Sequence, residues 1–318
     1  MCSNERPVLI AVLTYRRSAM LSTLLGMLRD QVETVDRSRW AVEVLVVDND
    51  ADASARDVVE SPDRGIHYVV EPEPGIARAR NRALDAAAEL GTGLLVFIDD
   101  DEEPEPGWLN ALLATSERHP GAAVSGKVVS RFEGAPDPWL VDGGFYARAH
   151  RQGMRTGDGV SSAATNNLLL DLSVVAGLGL RFDETLGLAG GEDTRFTLQL
   201  TNGGGRIVWC EEAEVVDVVT PERATRKAAL RRVFSGAGGS VAAIIASRTT
   251  PSARAAATAR YAVTGVGRIA LGGVQAVAGT LVPRSGWQAR GVRTAVRGAG
   301  ALSGLMGKIY QEYSRNPR

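Results

Sequence analysis

The 318-residue chain has only two cysteines, Cys2 and Cys210, and three histidines, His67, His119 and His150. Two cysteines cannot build a disulfide framework, and no CxxC or Cys/His spacing offers a zinc site. This scarcity points to a reducing, cytosolic compartment. Long apolar runs are missing too. The first, Val8 to Leu13, is too short for the apolar core of a signal peptide and reads as a strand. The longest uncharged run of the C-terminal part, Ile269 to Pro283, has 15 residues, short of the roughly 20 that cross a bilayer. No transmembrane helix is therefore expected, and no internal repeat is visible.

Acidic residues are almost absent from one region. Of 36 Lys/Arg and 37 Asp/Glu, 16 and 2 lie from Glu222 onward, which leaves 20 and 35 in residues 1–221. The net charge of -1 thus conceals a front part of -15 and a rear part of +14. Such asymmetry suggests two parts with different partners. The expected organisation is a catalytic domain over 1–221 and a basic, Ala/Gly-rich helical region over 222–318.

Short β-branched runs alternate with amphipathic stretches up to about residue 125, the pattern of β/α units around a largely parallel sheet. "PVLIAVLTY", "AVEVLVVDND", "IHYVVEPEPG" and "LLVFI" read as strands. "SAMLSTLLGMLRDQ", with Ser18 as its N-cap, and "IARARNRALDAAAEL" read as helices. Thr14, Asp48 and the run Asp99 to Asp101 then fall at strand carboxyl ends, where open α/β sheets bind ligands. Further on, "AAVSGKVVSRF" and "RIVWCEEAEVVDVV" are strand-like, and Glu192 and Asp193 open a helix with Phe196 and Leu200 on its apolar face.

"LLVFIDDDEEP" ends a buried strand in five consecutive acids. Carboxylates so close repel one another unless a cation sits among them. An acidic surface turn accounts for Glu102, Glu103 and Glu105, but not for charges that begin directly at the end of a buried strand.

Two near-motifs carry nothing. "GAAVSGKV" resembles a phosphate-binding loop, but Val128 stands where a Ser or Thr is needed, inside a β-branched run. "VTGVGRIA" has dinucleotide-binding glycine spacing at Gly265 and Gly267, but no acidic residue follows before Glu312. Helix packing explains those glycines better.

In order, Thr14-Tyr15, "VVDND", "GIARARN", "FIDDDEEP" and "GGEDTRF" resemble the motifs of a family 2 glycosyltransferase of the GT-A fold, over roughly the first 220 residues. The resemblance implies a mixed, mainly parallel α/β sheet flanked by helices, with a C-terminal helical appendage. It implies a DxD motif that holds Mn2+ or Mg2+ on the diphosphate of a nucleotide-sugar: Asp101 as main ligand, Asp99 in support, and Asp100 facing the ribose. Thr14, Tyr15 and Asp48 match positions that cradle the nucleoside. Arg16 and Arg17 depart from an Asn-Arg pair frequent there, and either Thr14 or Asp48 alone could be a simple cap. Arg80 and Asn81 fall where the family presents such a pair to the donor, while Arg78 and Arg82 read as a solvated face.

Glu192-Asp193 resembles the family's "ED" motif, with Glu192 on the donor side and Asp193 as general base toward the acceptor hydroxyl. Acids also favour any first helical turn; Gly190 and Gly191 favour the catalytic reading by letting a substrate approach the backbone. Many relatives carry a metal-binding histidine after the last strand. Here Asp217 takes that place as an oxygen ligand, or the site does without one.

The reading is an inverting, metal-dependent transfer from a UDP-sugar to a glycan, lipid-linked or small-molecule acceptor. A nucleotidyltransferase and a non-catalytic nucleotide-sugar-binding or membrane-associated protein are the alternatives; "TYRRSAM" lacks the Gly-rich, lysine-bearing loop of the former. The basic tail either docks on the inner face of an anionic membrane, packs as a helical hairpin on the catalytic domain, or makes a dimer contact. Without aromatic interleaving or a binding module, nucleic acid is not expected. "TNNLLL" either lines the acceptor side or caps a buried strand, and the loops of 130–165 carry no readable specificity.

Overall fold

A computed structural model describes residues 5–59, 66–148, 151–186, 190–281 and 285–307. Cys2, His150 and Pro283 lie outside the described residues.

The elements are β1 (Arg6–Thr14), α1 (Ser18–Glu33), β2 (Trp40–Asp48), α2 (Arg56–Val59), β3 (Ile66–Val70), α3 (Ile76–Glu89), β4 (Leu94–Asp99), β5 (Glu102–Pro104), α4 (Trp108–Arg118), β6 (Ala122–Phe132), α5 (Pro138–Asp142), β7 (Asn167–Asp171), α6 (Leu172–Gly177), α7 (Glu192–Asn202), β8 (Arg206–Val219), α8 (Arg226–Ala246), α9 (Pro251–Leu281) and α10 (Ser285–Leu305). One eight-stranded sheet has the order β3-β2-β1-β4-β7-β6-β8-β5. Its first four strands are parallel, and β7 then runs antiparallel to both β4 and β6.

Side chains alternate across a strand, so a sheet covered on both faces needs apolar residues at every position. Val8, Ile10, Val12, Val44, Val46, Val96 and Ile98 enter one core with Leu21, Leu24, Leu25 and Leu28 of α1. Leu9, Ala11, Leu13, Leu45, Val47, Leu95 and Phe97 enter the opposite core with the alanine face of α3. Ser18 is not the cap of α1: Arg17 holds that position without a side-chain cap bond, and the Ser18 hydroxyl donates to the Ser54 carbonyl at 3.0 Å.

Buried polar residues tie the strands together. The Asn167 amide donates to the carbonyls of Lys127 (2.9 Å) and Ala213 (2.8 Å) and accepts from the Trp108 indole at 2.9 Å. Asn167 is therefore a cross-strand tie. It also explains Gly126: a Cβ there would come within 2.3 Å of the Asn167 amide nitrogen. Lys127 pairs with Glu211 and Glu214 at 2.8 and 3.1 Å, as a strand residue should.

The chain forms two compact units. The first comprises Met1–Val129, His150–Glu184 and Phe196–Asp217; the second comprises Ser130–Ala149, Thr185–Arg195 and Val218–Arg318. Within the second, Trp139, Leu140, Phe145, Tyr146, Val219, Ala229 and Ala289 form a small core. Its long helices meet through glycines. A Cβ on Gly272 of α9 would lie 2.5 Å from the Ala295 nitrogen of α10, and one on Gly291 of α10 would lie 2.3 Å from the Ala276 nitrogen of α9. The glycine spacing in "VTGVGRIA" belongs to this packing, since Gly265 is buried against Leu302 and Gly298.

The uncharged-run criterion understated α9. This helix has 31 residues, and an 18-residue stretch of it reaches a mean hydropathy of 1.2 with at most two charges. By length and composition alone it is long and apolar enough to cross a membrane.

Candidate active site

Parallel pairing puts Thr14 beside Asp48, and Leu13 beside Asp99, so β2, β1 and β4 deliver their terminal polar groups to one rim of the first unit. Burial there is deep. Asp48 is fully buried, Thr14, Asp100 and Asp217 are each 4% exposed, and Arg80 is 6% exposed.

The three aspartates occupy different surroundings. Burial first, then the like charges of Asp101, Asp100 and Asp217, push the Asp99 carboxyl up to about 7, against the opposing pull of Arg80. Asp100 is raised mainly by burial, partly offset by Arg17 and by the Thr14 hydroxyl, which donates to its Oδ2 at 2.8 Å. Arg17 Nη1 lies 2.9 Å from Asp100 Oδ1 and 3.3 Å from Asp101 Oδ2. Although burial lowers it, the Arg17 guanidinium is held above its ordinary range by Asp100 and Asp101. A counter-cation thus stands where repulsion among the acids demanded one. Among the described residues, no three acids, histidines or cysteines are gathered closely enough to hold an ion as they stand. The donor chemistry fits Mn2+ or Mg2+, hard ions that favour carboxylate oxygen.

The acidic turn is not wholly a surface feature. Glu102 is 3% exposed, its Oε2 accepts from the Asp99 amide at 3.4 Å, and its Oε1 accepts from the Asn166 side chain. Strand β5 has three residues and pairs Glu102 with Asp217 of β8, bringing Asp217 into the field of Asp99. Asn166 therefore holds Glu102, one residue from the Asn167 tie.

At the end of β2, Asp48 Oδ2 accepts from the Ala55 amide and the Tyr68 hydroxyl, each at 2.8 Å. Its Oδ1 is buried with no hydrogen-bond partner among the described residues. A buried carboxylate oxygen left so is costly unless a ligand donates to it. Arg16, next to Tyr15, adopts a left-handed backbone with φ 54. Its Nε donates to Asp50 at 2.7 Å, and its guanidinium lies 5.3 Å over the Tyr15 ring. The Arg16 side-chain bond is the main reason the Asp50 carboxyl sits below its usual range. Sequence reasoning passed over Asp50, although the acids of "VDND" facing the arginines of "TYRR" were a signal.

Arg80 and Asn81 do different jobs. Arg80 lies 5.6 Å over the Phe182 ring and within the field of Asp99. Asn81 donates to the Phe182 carbonyl at 3.0 Å and to Glu184 Oε1 at 3.2 Å, and accepts from the Phe182 amide at 2.9 Å. It was expected to face the donor. Its side chain clamps the segment whose ring underlies Arg80.

Glu192 and Asp193 belong to the second unit. Glu192 is 4% exposed, and Asp193 Oδ1 accepts from the amide and the hydroxyl of Thr194. The preceding Gly191, at φ 97, is not an open approach for substrate: a Cβ there would lie 2.7 Å from the Gly239 carbonyl of α8. Gly190, at φ 75, has open space around its Cα.

Residues 9–168 match the family described as Glycosyl transferase family 2. The succinoglycan biosynthesis protein ExoM of Rhizobium meliloti (strain 1021) is 36% identical over 233 residues, 71% of each chain. Among solved structures, the mannosyltransferase PcManGT from Pyrobaculum calidifontis, in complex with GDP-Man and Mn2+, superposes with a TM-score of 0.63 at 18% identity, covering 96% of this chain and 88% of that one. GalNAc-T7 with UDP, GalNAc and Mn2+ gives 0.55 at 13% identity, covering 76% of this chain, which spans about half (48%) of that one. At such low identity these structures show the fold, a GT-A sheet with flanking helices, and nothing finer. With half its length under the family's pattern and 36% identity to a curated relative across 71% of the chain, the chain belongs to glycosyl transferase family 2.

Proposed function

We propose that the chain is an inverting, metal-dependent hexosyltransferase that moves a sugar from a nucleoside diphosphate sugar, UDP-linked, to a hydroxyl of a glycan, lipid-linked or small-molecule acceptor. One observation carries this reading: buried acids, an arginine and an orphaned carboxylate oxygen converge at the carboxyl ends of adjacent parallel strands. The name of the ExoM relative supports a role in polysaccharide biosynthesis.

Asp48 Oδ1 accepts an N–H of the nucleobase, beside Thr14 and Tyr15. Asp100 faces the ribose, and Arg80 offers charge-assisted bonds to the diphosphate. Asp101 and Asp99 would hold the Mn2+ or Mg2+ ion, with Asp217 as a further oxygen ligand. The ion, when bound, neutralises charge on the departing diphosphate. Asn81 fixes Phe182, and through it Arg80. Glu192 takes part in donor binding, as the family resemblance implies. Asp193 takes the acceptor hydroxyl proton as that oxygen bonds to the anomeric carbon and the bond to the diphosphate oxygen breaks on the opposite face. The acceptor is met in the cytoplasm, at the inner face of a membrane carrying the basic C-terminal segment.

Thermal-shift titration with UDP- and GDP-sugars, with and without Mn2+, tests the donor. Stabilisation by a UDP-sugar that needs Mn2+ and disappears in Asp101→Ala is the expected result. Stabilisation independent of metal, or equal in the variant, overturns the assignment of Asp101.

A further inference from the structure

The surface of α9 that does not face α10 is a continuous apolar ridge. Val263, Val266, Leu271, Val274, Val277 and Leu281 are 73, 59, 73, 71, 62 and 79% exposed. At 100° per residue they fall on one side of the helix, opposite the buried Gly265, Gly272 and Gly279. The ridge spans 19 residues, about 27 Å from Val263 to Leu281 at 1.5 Å per residue. It is far larger than the scattered apolar exposure of an ordinary surface.

Charge identifies what covers it. Residues 251–305 contain no acidic side chain, while Arg254, Arg260, Arg268, Arg290, Arg293 and Arg297 rim α9 and α10. These arginines press on one another: burial, then Arg297 and Arg290, hold Arg293 below its ordinary range, and burial, then Arg268, does the same to Arg297. A second copy would bring another segment of net +14 against this one. An anionic bilayer surface brings the opposite sign together with an apolar interior. The helix lies along that surface rather than across it, because Arg268 interrupts α9 and its partner α10 would carry Arg290, Arg293 and Arg297 into the hydrocarbon. Trp287, 44% exposed at the start of α10, suits the headgroup boundary.

We propose that the α9 ridge from Val263 to Leu281 is a membrane-docking surface that lies in the interface of an anionic bilayer, with Trp287 at the headgroup level. This rests on the membrane reading above and names the face responsible. The other four tryptophans are buried, at 0 to 7% exposure, so Trp287 reports contact directly.

The full chain is sedimented with vesicles of phosphatidylcholine alone and of phosphatidylcholine with phosphatidylglycerol. Brominated lipid is used in parallel to quench Trp287. Wild type should bind the anionic vesicles and show quenching that is lost in Trp287→Phe. Leu271→Glu/Val274→Glu, at exposed positions, should weaken binding about tenfold or more while leaving the thermal stabilisation by UDP-sugar unchanged. A wild type that binds neither vesicle ends the membrane reading itself. A wild type that binds while the double variant binds equally well ends only the assignment to the ridge. Self-association in lipid-free buffer that the double variant abolishes assigns the ridge to a second copy and overturns the proposal, as does retention in membranes after alkaline carbonate washing, the behaviour of a spanning helix.

Discussion

In the sheet, Leu9, Ile10, Leu45 and Phe97 are at most 2% exposed, and β1, β2 and β4 each send large side chains into both cores. In the α9–α10 hairpin the arrangement is reversed: the buried positions of α9 are glycines, and its large residues face outward. The first region is held by apolar area removed from water. The second is held by close backbone approach, the mode favoured where the surrounding medium is itself apolar. The first region gathers Asp100 and Asp101 around Arg17 at its strand ends, whereas residues 251–305 contain no acidic side chain.

The largest effect should come from Asp193→Asn, which tests whether this carboxylate is the proton acceptor. Turnover is expected to fall about 10²- to 10⁴-fold, with UDP-sugar affinity by titration calorimetry unchanged. Undiminished turnover would leave Asp193 as a helix-terminal acid with no part in catalysis.

Stability measurements sharpen the contrast next. Phe97→Ala should cost about 3–5 kcal/mol in urea unfolding, whereas Val274→Ala, at 71% exposure, should change it by less than about 0.5 kcal/mol. Gly291→Leu, which drives a side chain into the α9 backbone, should cost about 1–3 kcal/mol or more without loss of UDP-sugar binding. If the glycine substitution proved neutral, the close contact would carry no stability.

Within the first unit, Asn81→Ala should cost about 1–3 kcal/mol by stranding the Phe182 amide and lower donor affinity through Arg80. The smallest effect concerns Asp85, whose carboxyl Arg181 holds below the usual range. A depressed carboxyl stabilises the fold above its ordinary pKa, and the contribution disappears as pH falls through the folded value. Both partners are about half exposed, so Asp85→Asn should cost only a few tenths of a kcal/mol. Melting curves of the two proteins should differ slightly at neutral pH and converge in acid.

The strands were legible because a sheet covered on both faces requires uninterrupted β-branched runs. The acids of "FIDDDEEP" were legible because they begin where such a run stops. Glu102 was not, since a three-residue strand has no period to read and its burial comes from pairing with β8, more than a hundred residues away. Arg17 read as a departure from a family pattern; only the fold shows it bridging Asp100 and Asp101. Gly191 looked like an opening for substrate, and the structure spends it on Gly239. Nor does any local pattern announce that Ser130–Ala149 and Thr185–Arg195 fold with the basic segment.

Taken alone, the order of residues determined that β1 to β4, α1 and α3 would form, that Thr14, Asp48 and Asp99 would end strands, and that the two parts would differ in charge. These follow from periodicity and composition, which act over a few residues. Tertiary structure alone decided that Asp217 meets the field of Asp99, that Asn81 became a clamp, and that α9 turned its glycines inward and its valines outward. Each depends on which distant backbone lies against which side chain, a choice made by the packing of the whole chain.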